Sequence, residues 1–473
     1  MLWPADRLSR ERSAPGTVRA WKPAVLEPLL DGDIARFVFS SPQTLVEQVE
    51  AYGSPLNVVW PHRMGPNIQA IRSVLRAHEV DAHIFYGAKV NKSQSLVRAA
   101  VEAGAGVDVS SVHELRDALR AGADPSSICA TGPAKTAAFH AELIAKGALI
   151  SIDSSEELSE IERAVRAGSS RKTRVLLRYR PTFARGSRFG VGTDELLECL
   201  RRLAGSADFL AFEGFHFHLS GYGYESRVLA LGELDGFIGA ARQLGLQPRF
   251  MDIGGGLPVR YVESERYERF LRDQRAEHYR NGQVPKSFYP YGGPIDACEW
   301  TGRLLRSQVG TGQSVVQFLR AHDLSLALEP GRSLADQAAI SVFRVTRTKA
   351  LAGGDHVVFV EGSSFSACET WFSSEFLVDP IHISQAGGEV DDDFPVRAYI
   401  AGHSCLAEDV LTNRLIAFAR RPRPGDLLVY ANTAGYQMDL LENEFHRHPM
   451  PRRIALVPQS SGAVTVLPDD RTE

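Results

Sequence analysis

The sequence predicts an α/β chain in which a (β/α)8 TIM barrel precedes a mostly β C-terminal domain. Three observations predict it. From about residue 60 to 340, short apolar runs alternate with amphipathic helical stretches. Eight of those runs end in polar, glycine or charged residues. After residue 340 the helical spacing gives way to strands separated by turn residues. Strand–helix alternation argues for a parallel sheet. Eight such units in this length fit a closed barrel better than an open sheet.

The elements follow in order. MGPNIQAIRSVLRAH (64–78) has apolar positions at helical spacing and opens the alternation. The strand patterns are AHIFYGAKV (82–90), GVDVSS (106–111), SSICATG (126–132), LISIDSS (149–155), TRVLLRYRP (173–181), FEGFHFHLS (212–220), PRFMDIGGG (248–256) and LSLALEPGR (324–332). Most intervals read as helices, and several close on Gly, which tolerates the left-handed conformation that ends a helix. The seventh interval is over-long and rich in Tyr, Arg, Pro and Gly. It reads either as a solvated surface insertion or as a lid or specificity loop, because it leaves the barrel's active face. Beyond 340, AISVFRVTRT, HVVFVEG, VRAYIAG, DLLVYANTAG, RIALVPQ and AVTVL are strand patterns. The expected division is 1–59 as an N-terminal arm with strands joining the β domain, including ARFVFS (35–40), then 60–340 as the barrel with an insertion at about 258–322, then 341–473 as the β domain.

Bulk properties exclude several classes. At 473 residues the chain exceeds one ordinary core. With 44% hydrophobic and 23% charged residues it reads as a globular protein. A net charge of −4, with arginines spread along the chain, gives no reason to expect a nucleic-acid partner. No apolar run is long enough to cross a bilayer. MLWPADRLSRERSAPG lacks the apolar stretch of a secretory signal and reads as a partly disordered arm. The five cysteines, Cys129, Cys199, Cys298, Cys368 and Cys405, are odd in number and scattered. They fit neither a disulfide framework nor a zinc site, so the expected compartment is the reducing cytoplasm and no metal is expected.

Catalytic groups of a barrel sit at the C-terminal ends of its strands. Read in order, those ends carry Lys89, Asp108 with Ser111, Thr131 with Gly132, Asp153, Arg178, His218, Gly254–Gly255–Gly256, and Glu329 with Arg332. A lysine beside a glycine cradle suited to phosphate suggests a Schiff base to pyridoxal 5'-phosphate. Taken singly, His218 could be a satisfied core histidine, the glycines a tight turn, and Glu329 with Arg332 a structural ion pair.

The chain resembles the fold-type III pyridoxal-phosphate decarboxylases, whose members include diaminopimelate, ornithine and biosynthetic arginine decarboxylases. The stretches that carry the resemblance are YGSPLNVV (52–59), YGAKVN (86–91), GAGVDVSSVHEL (104–115), FHFHLS (215–220), DIGGGLP (252–258), EPGR (329–332), GHSCLAED (402–409) and NTAGY (432–436). They come in the family's order and cover nearly the whole chain. The resemblance implies a barrel of alanine-racemase type and decarboxylation of an amino acid at its α-carboxylate. It implies that Lys89 is the Schiff-base lysine, His218 stacks on the cofactor ring, Gly254, Gly255 and Gly256 form the phosphate loop, and Glu329 pairs with the pyridine nitrogen. Asp108 and Arg178 join the cofactor set, and Arg332 and Tyr436 meet the cofactor phosphate or the substrate. Cys405 corresponds to a catalytic cysteine that reaches the partner subunit's site, which implies a homodimer. Glu408 and Asp409 are the remaining candidates for substrate contact.

The chain departs from the family pattern on the substrate side. Leu406 stands where relatives carry an acidic residue that holds the substrate's distal amino group. LSG replaces the usual order with Gly before Ser, NTAGY replaces an acidic Gly-Ala-Tyr pattern, and FHRHP (445–449) stands where Phe-Asn is common. Around FSSEFLVDPIHI no Arg and Tyr fall in register to hold a distal carboxylate. Leu at this position is similar to carboxynorspermidine-type members, which implies a non-standard or substituted diamino acid of polyamine or specialised metabolism. Diaminopimelate decarboxylation, amino-acid racemisation on the same fold, and a non-catalytic homologue are the alternatives. Related racemases pair the ring nitrogen with arginine, so Glu329 argues against the second, and retention of both Lys89 and Cys405 argues against the third.

Overall fold

The structure is a computed structural model, and it describes residues 25–166, 171–310, 312–366, 374–385, 396–439, 446–459 and 464–469. The arm expected at the N-terminus, MLWPADRLSRERSAPG, together with Cys368 and Phe445, lies outside the described residues.

Eight parallel strands close into a barrel: Ala82–Gly87, Gly106–Val109, Ile128–Ala130, Leu149–Ile152, Thr173–Arg178, Leu210–His216, Phe250–Asp252 and Ser325–Leu328. The last pairs with both the first and the seventh, Leu328 opposite Ile84 and Ala327 opposite Asp252. Each of the eight strand patterns in the sequence holds one of these strands, so the expected fold class is borne out. The strands are short and nearly all buried, because helices cover the outside of a parallel barrel. The covering helices earn their place through one apolar stripe. Met64–Ala77 buries Met64, Ile68, Ile71 and Leu75, at the three- and four-residue spacing of one helical face. Ser93, Ser111 and Thr136 cap the helices that follow them, each accepting a backbone N–H.

The segment expected as a single insertion at 258–322 divides in two. Helices Ala297–Arg306 and Val315–Ala321 belong to the barrel's outer layer, the first packing against Met64–Ala77 and Tyr224–Gln243. Trp300, Leu304 and Leu305 form its buried face, and the Asp296 side chain caps it. The part that departs from barrel geometry is therefore shorter, about 258–296. It holds the helix Ser264–Asp273 and a strand, Ser287–Phe288, that pairs with Ser374–Glu375 of the second domain.

The second domain is built on a nine-stranded sheet. Leu56–Val59 lies inside it, antiparallel to Ala339–Ala350 and parallel to Arg452–Pro458. ARFVFS, expected as a strand, is instead helical: Gly32–Ala35 runs into a π-helical turn at Arg36–Ser40. Ile34 and Val38, and again Leu45 and Val49, stand four residues apart and pack on the sheet, a helical spacing that outweighs the strand-forming residues. No helix among the described residues is long and apolar enough to cross a membrane.

Candidate active site

The C-terminal ends of the barrel strands converge on a cavity of about 700 Å³, lined among others by Lys89, Thr131, Arg178, His216 and His218. That volume falls within the usual range for small-molecule sites, roughly 300–1,000 Å³. Lys89 follows the first strand on a 3-10 turn, Ala88–Val90. Its ammonium stands 3.4 Å from Asp108 Oδ2, and the Thr131 hydroxyl donates to Asp108 Oδ1 at 2.6 Å.

Glu329, at the end of the last strand, lies behind two imidazoles. His218 Nδ1 is 2.9 Å from Glu329 Oε2, within hydrogen-bond reach. His216 Nε2 is 3.6 Å from Oε1, beyond it. His216 Nδ1 in turn meets the Ser151 hydroxyl at 2.6 Å. Glu329 Oε1 and His216 Nε2 are buried without a hydrogen-bond partner among the described residues. His216 is a site residue that the sequence reading missed. The FHFHLS run holds two histidines at i and i+2, which point to the same side of a strand, and that spacing is the signal that could have found it.

Three buried carboxylates, Asp108, Asp252 and Glu329, share this end of the barrel. Like charges so close cannot all ionise. Burial pushes Asp108 up to about 7 and Asp252 well above its usual range, with repulsion from Glu329 adding to both. Burial acts on Glu329 in the same direction, but His216, His218 and Lys89 outweigh it and hold Glu329 below the ordinary carboxylate range. Burial alone would lower Lys89, yet Asp108 and Glu329 raise it. Carboxylates thus surround Lys89.

The glycine turn is compelled by its neighbours. Gly254 and Gly256 have φ of 69° and 85°, where side-chain-bearing residues are strained. A Cβ on Gly255 would fall 2.4 Å from Glu329 O, and one on Gly256 2.4 Å from an Arg227 nitrogen. Arg227 is buried behind the turn and donates to Leu219 O, Gly221 O and Gly255 O at 2.9–3.0 Å. On the barrel's far side, Arg178 pairs with Asp153 at 2.8 Å and lies over the Phe189 ring. The Arg332 guanidinium stands 4.1 Å from the Tyr289 ring centre and 5.2 Å from that of Tyr436. Tyr436 is held at φ 78°, its N–H bonded to Val90 O at 2.8 Å beside Lys89.

Three residues of the sequence-derived set stand elsewhere. Cys405 is exposed, on the loop between strands Val396–Ala401 and Val410–Phe418, and is not among the residues lining the cavity of its own chain. Asp409 turns inward and accepts the N–H groups of Ser364 at 2.7 Å and Ser404 at 2.9 Å. Glu408 is paired with Arg280 at 2.9 Å. Asp409 is thus engaged within its own chain, whereas Glu408 stays exposed while it pairs with Arg280.

The donor set fits pyridoxal 5'-phosphate on this geometry. A primary amine enters the cavity, a buried carboxylate has an orphaned oxygen, and a turn free of side chains stands at the same end of the barrel. Fold and donor set are those of a cofactor-dependent barrel enzyme. The family profile for the pyridoxal-binding domain of pyridoxal-dependent decarboxylases matches residues 67–286. An uncharacterized protein, y4yA, of Sinorhizobium fredii is 52% identical over 444 residues, covering 94% of this chain and 96% of that protein. The diaminopimelate decarboxylase of Methanothermobacter thermautotrophicus is 24% identical over 443 residues, 86% of this chain and 88% of its own. In fold, the chain is similar to Helicobacter pylori diaminopimelate decarboxylase complexed with L-lysine, at TM-score 0.68 and 19% identity, over 89% of this chain and 95% of that one. The chain belongs to the fold-type III pyridoxal-phosphate-dependent amino-acid decarboxylases, and its cofactor is pyridoxal 5'-phosphate.

Proposed function

We propose that the enzyme removes the α-carboxylate of a substituted or non-standard diamino acid whose distal nitrogen is not a free ammonium, working as a homodimer with shared sites in the cytoplasm. The observation that carries the catalytic assignment is the grouping of Lys89, Glu329 and the glycine turn at one mouth of the barrel. Lys89 supplies the amine that anchors the cofactor aldehyde. The glycine turn, Arg332 and Tyr436 would hold the phosphate, and Asp108 and Arg178 would border the ring. His218 would pack on the ring face, and Glu329 would keep a proton on the ring nitrogen. When bound, the cofactor supplies the electron sink for the bonding pair that CO2 leaves behind. A fixed carboxylate at the nitrogen strengthens that sink at no reorganisation cost during the reaction.

The exposed Cys405 thiol supports a contribution to the partner's cavity, where it would return a proton to the α-carbon. The free thiols of Cys129, Cys199, Cys298 and Cys405 support a reducing compartment. The Cys405 loop supports the substrate assignment. It offers Leu406, Glu408 already paired with Arg280, and Asp409 turned inward. A substrate bringing an unpaired charge to such a surface is disfavoured. CO2 release from N-substituted diamino acids, ornithine, lysine and diaminopimelate, with chiral analysis of recovered substrate, tests this. The substituted substrates are expected to give the highest kcat/KM. A preference for diaminopimelate would make lysine biosynthesis the better reading, and racemised substrate without CO2 would overturn decarboxylation.

Two further outcomes are expected. Cys405→Ala retains cofactor binding and its visible absorption, while kcat falls by about 10²-fold, the low end for a positioned proton donor. Equal turnover and product would remove Cys405 from the mechanism. Gly255→Ala must displace the Glu329 carbonyl, a clash of the kind that costs about 1–3 kcal/mol. Titration of cofactor into the cofactor-free protein should show affinity weakened by roughly 10- to 100-fold, and unchanged affinity would place the phosphate elsewhere.

A further inference from the structure

The segment 258–296 reaches across to the second domain, and through Arg280 it touches the Cys405 loop. Tyr279 forms an antiparallel bridge with Arg414. The next residue, Arg280, donates its backbone N–H to Asn413 O at 3.0 Å and its Nε–H to Asn413 Oδ1 at 2.9 Å. One Arg280 Nη2 reaches both Ala407 O at 3.3 Å and Glu408 Oε2 at 2.9 Å. Its guanidinium lies 5.6 Å from the ring centre of Tyr399, on the strand that leads into the loop. One side chain from the segment thus touches the loop's entry strand, its tip and its exit strand.

The loop is gripped from inside as well. Asp409 accepts the N–H groups of Ser364 and Ser404, and Gly402 N–H donates to Asp409 O at 3.0 Å. Gly402 has no room for a side chain, since a Cβ there would fall 2.3 Å from the Asp409 carboxylate. The inner hold fixes residues 402–404 and 409. Among the described residues, the hydrogen bonds of Leu406, Ala407 and Glu408 within the loop are backbone turn bonds, Asp409 N–H to Leu406 O at 3.1 Å and Val410 N–H to Glu408 O at 2.9 Å. Among the same residues, Arg280 joins this outer half to the segment.

We propose that the segment 258–296 is an outer clamp for the Cys405 loop, with Arg280 the positioning residue that sets where the Cys405 thiol stands. The segment then acts on the active site to which its own chain lends Cys405, the site of the partner copy. This rests on the reading that Cys405 serves the partner's cavity. Arg280 suits the task because its planar fork of donors engages a carbonyl, an amide and a carboxylate together, which a lysine cannot do.

Arg280→Ala tests the clamp. The visible absorption and cofactor affinity are expected to match wild type, because Arg280 touches nothing in the cofactor cavity, while kcat falls by roughly 10- to 100-fold, the cost of a displacement of about 1 Å in a reacting group. Arg280→Lys should recover part of the loss through the ion pair with Glu408. Wild-type kcat in Arg280→Ala would overturn the proposal. Mixed dimers, co-expressed with two tags, separate it from general destabilisation. Lys89→Ala with Cys405→Ala subunits should recover activity, since one site of the mixed dimer has both native groups. Lys89→Ala with Arg280→Ala subunits should recover it equally, because the intact lysine site then receives a correctly clamped Cys405. Recovery in the first pair without the second would overturn the clamp and leave the shared site standing. Recovery in neither would overturn the shared site itself.

Discussion

Lys89→Ala is expected to abolish the visible absorption of the purified enzyme and to lower turnover by on the order of 10⁴- to 10⁶-fold, the scale of losing a covalent catalytic group. The cavity contains a second amine, so the outcome is not trivial. Lys135 lines the same space. It is bound to Glu157 Oε1 at 2.8 Å and donates to Gly132 O at 2.7 Å, with its side chain 1% exposed. To take the place of Lys89 it would have to leave Glu157 and abandon a buried carboxylate, a change costing several kcal/mol. Lys89 is more accessible, 36% exposed at the side chain, and its contact with Asp108 is long at 3.4 Å. Absorption spectra of the variant with added cofactor, followed by borohydride trapping and peptide mapping, give the answer. Cofactor trapped on Lys135 in the variant, with turnover retained, would refute the assignment.

Glu329→Gln should keep the cofactor bound yet lose CO2 release by about 10²- to 10³-fold, the range for removing one preorganised electrostatic group. The substitution preserves shape and removes charge. Asp108 and Asp252 cannot substitute at once, because burial holds both toward their neutral forms and His216 and His218 are directed to position 329. Single-turnover CO2 release separates this chemical loss from slow product release. A wild-type rate would mean that another group protonates the ring.

The barrel was legible because each strand end carries its chemistry next to its own strand in the sequence. Lys89, Asp108, Arg178, His218, the glycine turn and Glu329 all follow that rule, and the structure gathers them at one end. What was not legible depends on contacts between distant positions. Asp409 looks like a substrate ligand until Ser364, 45 residues upstream, is seen to donate to it. Arg280 gave no signal, since its partners lie 127 to 133 residues away. Helix Ala297–Arg306 was absorbed into an apparent loop because the Tyr-, Pro- and Gly-rich stretch before it obscured its apolar stripe. The anionic surroundings of Lys89 were hidden too, because the charge state of three buried carboxylates follows from their mutual distances.

The strand Leu56–Val59 imposes an order on biosynthesis. It leaves the ribosome among the earliest structured parts, yet its two neighbours, Ala339–Ala350 and Arg452–Pro458, are made only after the whole barrel. Until then an apolar ribbon with both edges open must wait on the nascent chain, the kind of surface that other strands readily capture. The barrel can close early, whereas the sheet that bears Cys405 waits for Arg452–Pro458.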